Sequence, residues 1–489
     1  MKARLCLFVS RFGSCVSRLI PVLVLSFTAL VAAGCGGGTG TAFSGNTTVV
    51  VLASSTANDQ LSSYGVIIES LTLTNKSGAT VSVLASPVNE EFVHLNGHVE
   101  PLATVSIPQG DYVSGKVTFI QSLPVCNGHA SGDDMTDGLG GNPDETINLA
   151  QPITVTGNAM GLVLNLQVNK YLEACPTPSE FATAPGVISA FNLAPLTIAT
   201  QPTNSSNGLA VGLEGTIASV GPGGSGISVD ALVHGGGGPV WPVSFKSSTL
   251  FQGIGGASQL TAGLPVNMDL AIQPDGSFLA TRVQVLSTDT TTLTLVGGTV
   301  LDVANTPPTG GDFTGATQTG YLPLVAIGFS TVNFVNAQFQ VSGQFGNLAS
   351  LPFSANFNLT NLIPGQNLTI TTQATAFAGG PTFIPVTMAT LVPQTIDGTI
   401  SAISSTGGFT TYMVTLPAYD LFPQFATQSA QGALLANPDT VVVYADSNTQ
   451  MLTTGSVSVG GVFRFYGLIF NDNGILRMDC AQVNDGVTE

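Results

Sequence analysis

The chain has 489 residues, 44% hydrophobic and only 8% charged, with 28 acidic against 11 basic residues and a formal charge of −17 at pH 7. An acidic surface repels nucleic acid and anionic lipid, which argues against a polyanion partner. Val, Leu, Ile and Phe recur in short runs throughout, which excludes a disordered composition and leaves Ser, Thr, Asn, Gln and Gly to carry solubility.

The first element is an export signal. Lys2, Arg4, Arg11 and Arg18 form a basic segment without an acid, and residues 19–33 are apolar apart from Ser26 and Thr28. The stretch is short for a spanning helix. It ends in Leu30-Val31-Ala32-Ala33-Gly34-Cys35, which resembles the bacterial lipobox, with Ala32 in place of the commoner leucine. The resemblance implies cleavage before Cys35 and lipidation of its thiol. Residues 1–34 are then the signal and 35–45 a glycine-rich tether. Gly36 stands where an aspartate often retains lipoproteins in the inner membrane, so the expected location is the outer membrane or cell surface. The mature chain keeps 7 basic and all 28 acidic residues, a formal charge of 7 − 28 = −21.

Strand signals follow. Thr47-Thr48-Val49-Val50-Val51-Leu52 is β-branched, and the segment from Val66 to Leu73 is strand-like but does not alternate cleanly. Asn75-Lys76-Ser77-Gly78 predicts a turn and Thr80-Val81-Ser82-Val83-Leu84 a returning strand. Pro108-Gln109-Gly110-Asp111-Tyr112 predicts a tight turn, with the tyrosine packed across a sandwich and its hydroxyl at the rim. Helical periodicity is nearly absent, and its best short candidate lies between Phe422 and Leu435. The expected class is all-β: a transthyretin-like sandwich over 46–200, a linker over 201–209, and three small β-barrels, for which an OB-like form is a candidate, over 210–290, 291–394 and 395–489.

The barrels are read from an internal repeat. Gly215-Thr216-Ile217, Gly298-Thr299-Val300 and Gly398-Thr399-Ile400 each open a module. Gly263, Gly365 and Gly460 fall midway, each before an apolar strand, and Pro274-Asp275-Gly276-Ser277 and Asn471-Asp472-Asn473-Gly474 predict turns before the closing strands. These segments resemble the family catalogued as domain of unknown function 5666, best over residues 211–287. The segment from Val66 to Leu73, Glu91-Phe92-Val93-His94-Leu95-Asn96-Gly97, the Pro108 turn and Gly161-Leu162-Val163-Leu164-Asn165-Leu166 resemble domain of unknown function 4382. That family's early aspartate and proline are missing from Leu52-Ala53-Ser54-Ser55-Thr56, and its late aspartate is Asn165 here.

Chemistry is sparse in the sequence. Asp133, Asp134, Asp137, Asp144 and Glu145 crowd a glycine-rich stretch that could hold calcium, although the spacing is not that of an EF-hand. The alternative is a solvated acidic loop. Cys126 and Cys175 are a candidate disulfide in an oxidising envelope, and Cys480 reads as a buried, inert thiol. His94 and His98 lie on strand or turn, where a spacing of four does not give a helical zinc pair. Trp241, the only tryptophan, is either core or a sugar-stacking platform, core being favoured. No nucleophile elbow, P-loop or dinucleotide fingerprint occurs. The expectation is a non-enzymatic, lipid-anchored binding or scaffold protein without a required cofactor, its partner a glycan or envelope protein and not a nucleic acid. The alternatives are a hydrolase of extracellular polysaccharide or protein, and a spacer.

Overall fold

The computed structural model describes residues 43–56, 61–126, 144–168, 189–231, 240–289, 294–304, 310–317, 330–346, 348–372, 384–418, 420–426 and 435–486. Residues 43–489 form one compact unit, almost entirely β. No helix among the described residues is long and apolar enough to cross a membrane.

The first layer pair is a sandwich. One sheet runs in the order β5 (Glu100–Pro108), β1 (Asn46–Ser55), β8 (Ala159–Val168), β9 (Ser189–Leu196), with β1 and β8 parallel. The other runs β3 (Thr80–Ser82), β2 (Leu61–Asn75), β6 (Gly110–Cys126), β7 (Asp144–Val155), and β4 (Val88–Glu91) pairs with β2. The untidy alternation of β2 has a physical cause. Its register against β6 slips on either side of Ile68, so Val66 and Ile68 point into the core, and after the slip Leu71 and Leu73 do. The turn after β2 is held by Asn75, whose Oδ1 accepts from Ser77 N and Ala79 N, and Gly78 takes φ +84°. Tyr112 is buried in the sandwich core and its hydroxyl donates to Pro108 O at 2.8 Å.

Three barrels follow, each built in the same order. In the first, β10 (Leu209–Val220) pairs with β11 (Gly226–Ala231) and β14 (Pro265–Ile272). Then β15 (Phe278–Val285) pairs antiparallel with β14 and parallel with β12 (Val240–Ser244), which closes the circuit, and β13 (Leu250–Gln252) adds to β15. In the second, β16 (Thr294–Ala304), β17 (Gly310–Thr317), β18 (Ser330–Asn333), β19 (Gln338–Val341), β20 (Asn367–Thr372) and β21 (Ile384–Leu391) repeat this pattern. In the third, β22 (Gln394–Thr406), β23 (Phe409–Thr415), β24 (Thr440–Met451), β25 (Val462–Asp472) and β26 (Ile475–Asp485) form a closed barrel. A six-residue helix, α1 (Leu421–Ala426), starts at buried Asp420, whose Oδ1 accepts from Phe422 N.

The repeated glycines take equivalent positions in all three barrels. Gly215, Gly298 and Gly398 oppose Val266 on β14, Leu368 on β20 and Phe463 on β25. A Cβ on Gly215 would lie 2.3 Å from Asp230 O, and one on Gly398 2.7 Å from Thr415 O. Two residues on, Ile217, Val300 and Ile400 accept at their carbonyls from Gly263, Gly365 and Gly460, which all take positive φ. The stretch expected to be a linker is ordered: a short turn at 205–207 is closed reciprocally by Asn204 and Asn207.

The modules share cores. β1 points Val49, Val51 and Ala53 into the sandwich, and Val50 and Leu52 into the core of the first barrel. Buried on both faces, it reads in sequence as an unbroken apolar run. Likewise β25 gives Phe463, Phe465 and Ile469 to the third barrel, and Leu468 and Phe470 to the second.

Candidate functional site

Where the modules meet, a cleft of about 500 Å³ opens, within the range of small-ligand sites. β24 and β26 supply Asp446, Asn448, Gln450, Asp479 and Gln482, and the segment after β19 supplies Gln344, Phe345 and Leu351. His98, Asp269 and Tyr466 also line it, and Phe409 adds an aromatic face.

Part of the lining is fixed by a buried polar network. Asp269 and Arg282 oppose each other on β14 and β15 and form a fork, Nε to Oδ2 and Nη2 to Oδ1, both 2.8 Å. Asp269 Oδ1 also accepts from Gly212 N, and Arg282 Nη2 donates to Asn267 Oδ1. His98 packs against Tyr466 with ring centres 5.0 Å apart. Burial pushes the Tyr466 phenol well up, and burial with the neighbouring His94 charge pushes His98 down to about 4, so both rings are neutral. Asp479 is pushed up to about 6 by burial and by the Asp446 charge. Asp446 is exposed and its Oδ1 accepts from Asn448 N and Thr449 N.

Behind this network lies an acid-rich cluster at the base of the sandwich. Glu91 caps the turn after β4: Oε1 accepts from Tyr64 N at 2.6 Å and Val93 N at 3.0 Å, and Oε2 from His94 N at 3.0 Å. His94 sits between carboxylates, Nδ1 3.0 Å from Glu91 Oε2 and Nε2 3.3 Å from Glu100 Oε1. Glu90 and Glu100 are buried beside it. Burial opposes a charged ring at His94, but the Glu100 and Glu91 carboxylates outweigh it and hold that ring well above the usual histidine value. Burial and Glu100 push Glu90 well up. Glu214, which accepts from Asn267 Nδ2 and Thr369 Oγ1, is pushed up to about 7, mainly by burial.

The sequence-derived candidates fare unevenly. Cys35, Asp133, Asp134, Asp137 and Cys175 lie outside the described residues, as do His129 and His234. Cys126 ends β6, and Asp144 and Glu145 open β7 as ladder partners of Thr118 and Val117. Trp241 is 3% exposed, packed edge-on to Phe278 in the first barrel, and so offers no sugar platform. Cys480 is a buried free thiol whose Sγ donates to Gln482 O. His94 and His98 do come together, ring centres 6.3 Å apart, through the turn at residues 92–98 and not through a helix.

Sequence reasoning passed over Glu90, Glu91, Glu100, Glu214, Asp269 and Arg282. Their signal was present: with 8% charged residues overall, an ionisable side chain inside an apolar strand stands out. No family model and no curated protein with which the chain was compared matches it.

Proposed function

We propose that this is a non-enzymatic binding protein of the bacterial envelope, anchored through lipid on Cys35, that takes a neutral oligosaccharide in the cleft between the barrels. The observation that carries the reading is the lining of that cleft. Asn448, Gln450, Gln344 and Gln482 offer amide donors and acceptors, and Phe345 and Phe409 offer faces on which a sugar ring can stack. Asp446 and Asp479 disfavour an anionic glycan. The common strand order of the three barrels supports an OB-like reading of each, a form that presents oligosaccharide-binding loops. The basic n-region and the Gly34-Cys35 junction support the anchor.

The test is a panel of neutral and acidic oligosaccharides titrated against full-length protein in mild detergent. A neutral glycan should bind, and Asn448→Ala and Phe409→Ala should each weaken it at least about tenfold, a loss of roughly 1.4 kcal/mol, without lowering the melting temperature. Binding that ignores both substitutions would refute the site.

The second reading, a polysaccharide hydrolase, is favoured by one observation. Asp479, pushed up to about 6, shares the cleft with the Asp446 carboxylate, a pairing of the kind that a general acid and a second carboxylate require. Release of reducing ends by the wild type, lost in Asp479→Asn, would establish it over the binding reading.

A further inference from the structure

We propose that Glu90, His94 and Glu100 form a site for one divalent transition-metal ion, with Zn²⁺ the best match. The donor atoms of these three side chains lie within 4.8 Å of one another. A zinc ion sits about 2.0–2.2 Å from imidazole nitrogen and carboxylate oxygen, so small side-chain adjustments bring all three into reach. One imidazole with two carboxylates suits zinc better than calcium, which prefers six or more oxygens.

A second observation points to a ligand. The Glu91 carboxylate already accepts from three backbone N–H groups, and it accepts from His94 Nδ1 as well. Nδ1 therefore keeps its hydrogen, and Nε2, which would give up its proton to a bound ion, is turned toward Glu100. That Nε2 is buried, 3.3 Å from Glu100 Oε1. A carboxylate behind one ring nitrogen, with the other turned toward acids, is the arrangement that orients histidines toward metals. Access exists: the His94 side chain is 31% exposed, and a void of about 10 Å³ beside it, bounded by Val93, Gln394 and Tyr466, is the size of one water. Glu90 lies on β4, His94 is in the turn and Glu100 opens β5, so the ion would tie three segments at the base of the sandwich.

The test uses full-length protein in mild detergent, stripped with EDTA and titrated with Zn²⁺, with Mn²⁺ and Ca²⁺ in parallel and Co²⁺ as a spectroscopic probe. One equivalent of Zn²⁺ should survive desalting and raise the melting temperature, and Co²⁺ should give the visible band of a low-coordinate site. Glu90→Gln and His94→Asn should each lower Zn²⁺ affinity at least about 10–100-fold, the range seen even for outer-shell changes. Two variants guard against one failing to fold. No retained Zn²⁺ and an unchanged melting temperature would overturn the proposal. So would equal binding by folded variants, or retention of Ca²⁺ in preference to Zn²⁺.

Discussion

At the scale of single residues, the opening glycines and Asp479 show how local chemistry constrains the fold. Gly215→Ala would drive a methyl into Asp230 O and Ala231 Cα, both backbone atoms that cannot swing aside. It should cost about 1–3 kcal/mol, the usual range for overpacking, in a denaturant titration. Gly110→Ala is the control, because a Cβ there meets nothing within 4 Å and Gly110 does not have positive φ; it should be close to neutral. Asp479 gives a pH signature. Its folded value of about 6 lies above its unfolded value, so its favourable contribution is complete below about pH 4 and is lost as pH rises through 6. Asp479→Asn cannot ionise. Its melting temperature should therefore gain on the wild type between pH 4 and 7, and parallel melting curves across that range would refute the assignment.

At the scale of elements, legibility followed the physics of each strand. The hairpin at Asn75 and the repeated glycines were readable because turn geometry and close approach restrict residue type to a few choices. The slips around Ile68 were not, because a β-bulge leaves only blurred alternation behind. The apolar run in β1 was recognised as a strand, but a single sequence cannot say that a second module covers its other face. The candidate site was half legible: Glu90, Glu214 and Asp269 stand out as charges within apolar strands, but their grouping with Tyr466 exists only where modules meet. Leu52 tests the shared face. It is fully buried against the first barrel although it belongs to the sandwich. Leu52→Ala should cost about 2–5 kcal/mol, and the loss should be visible in the fluorescence transition of Trp241, which reports the first barrel's core. An unchanged Trp241 transition would mean the two cores unfold separately.

At the scale of the molecule, the repeat suggested barrels strung in series, whereas the structure interlocks them. Gln284 exchanges hydrogen bonds with Val341 O and Gly343 N across the first and second barrels. Gln366 donates to Ile469 O across the second and third. Gln482 and Arg464 reach from the third back to Gly97 O and Asn96 Oδ1 in the sandwich. The cleft is a product of this assembly, since its walls come from all three barrels. Hydrogen–deuterium exchange on full-length protein, with and without the best-binding neutral oligosaccharide, tests that claim most directly. Slower exchange is expected in β24, in β26 and in residues 344–351 together. Protection confined to a single barrel, or to the sandwich alone, would contradict it.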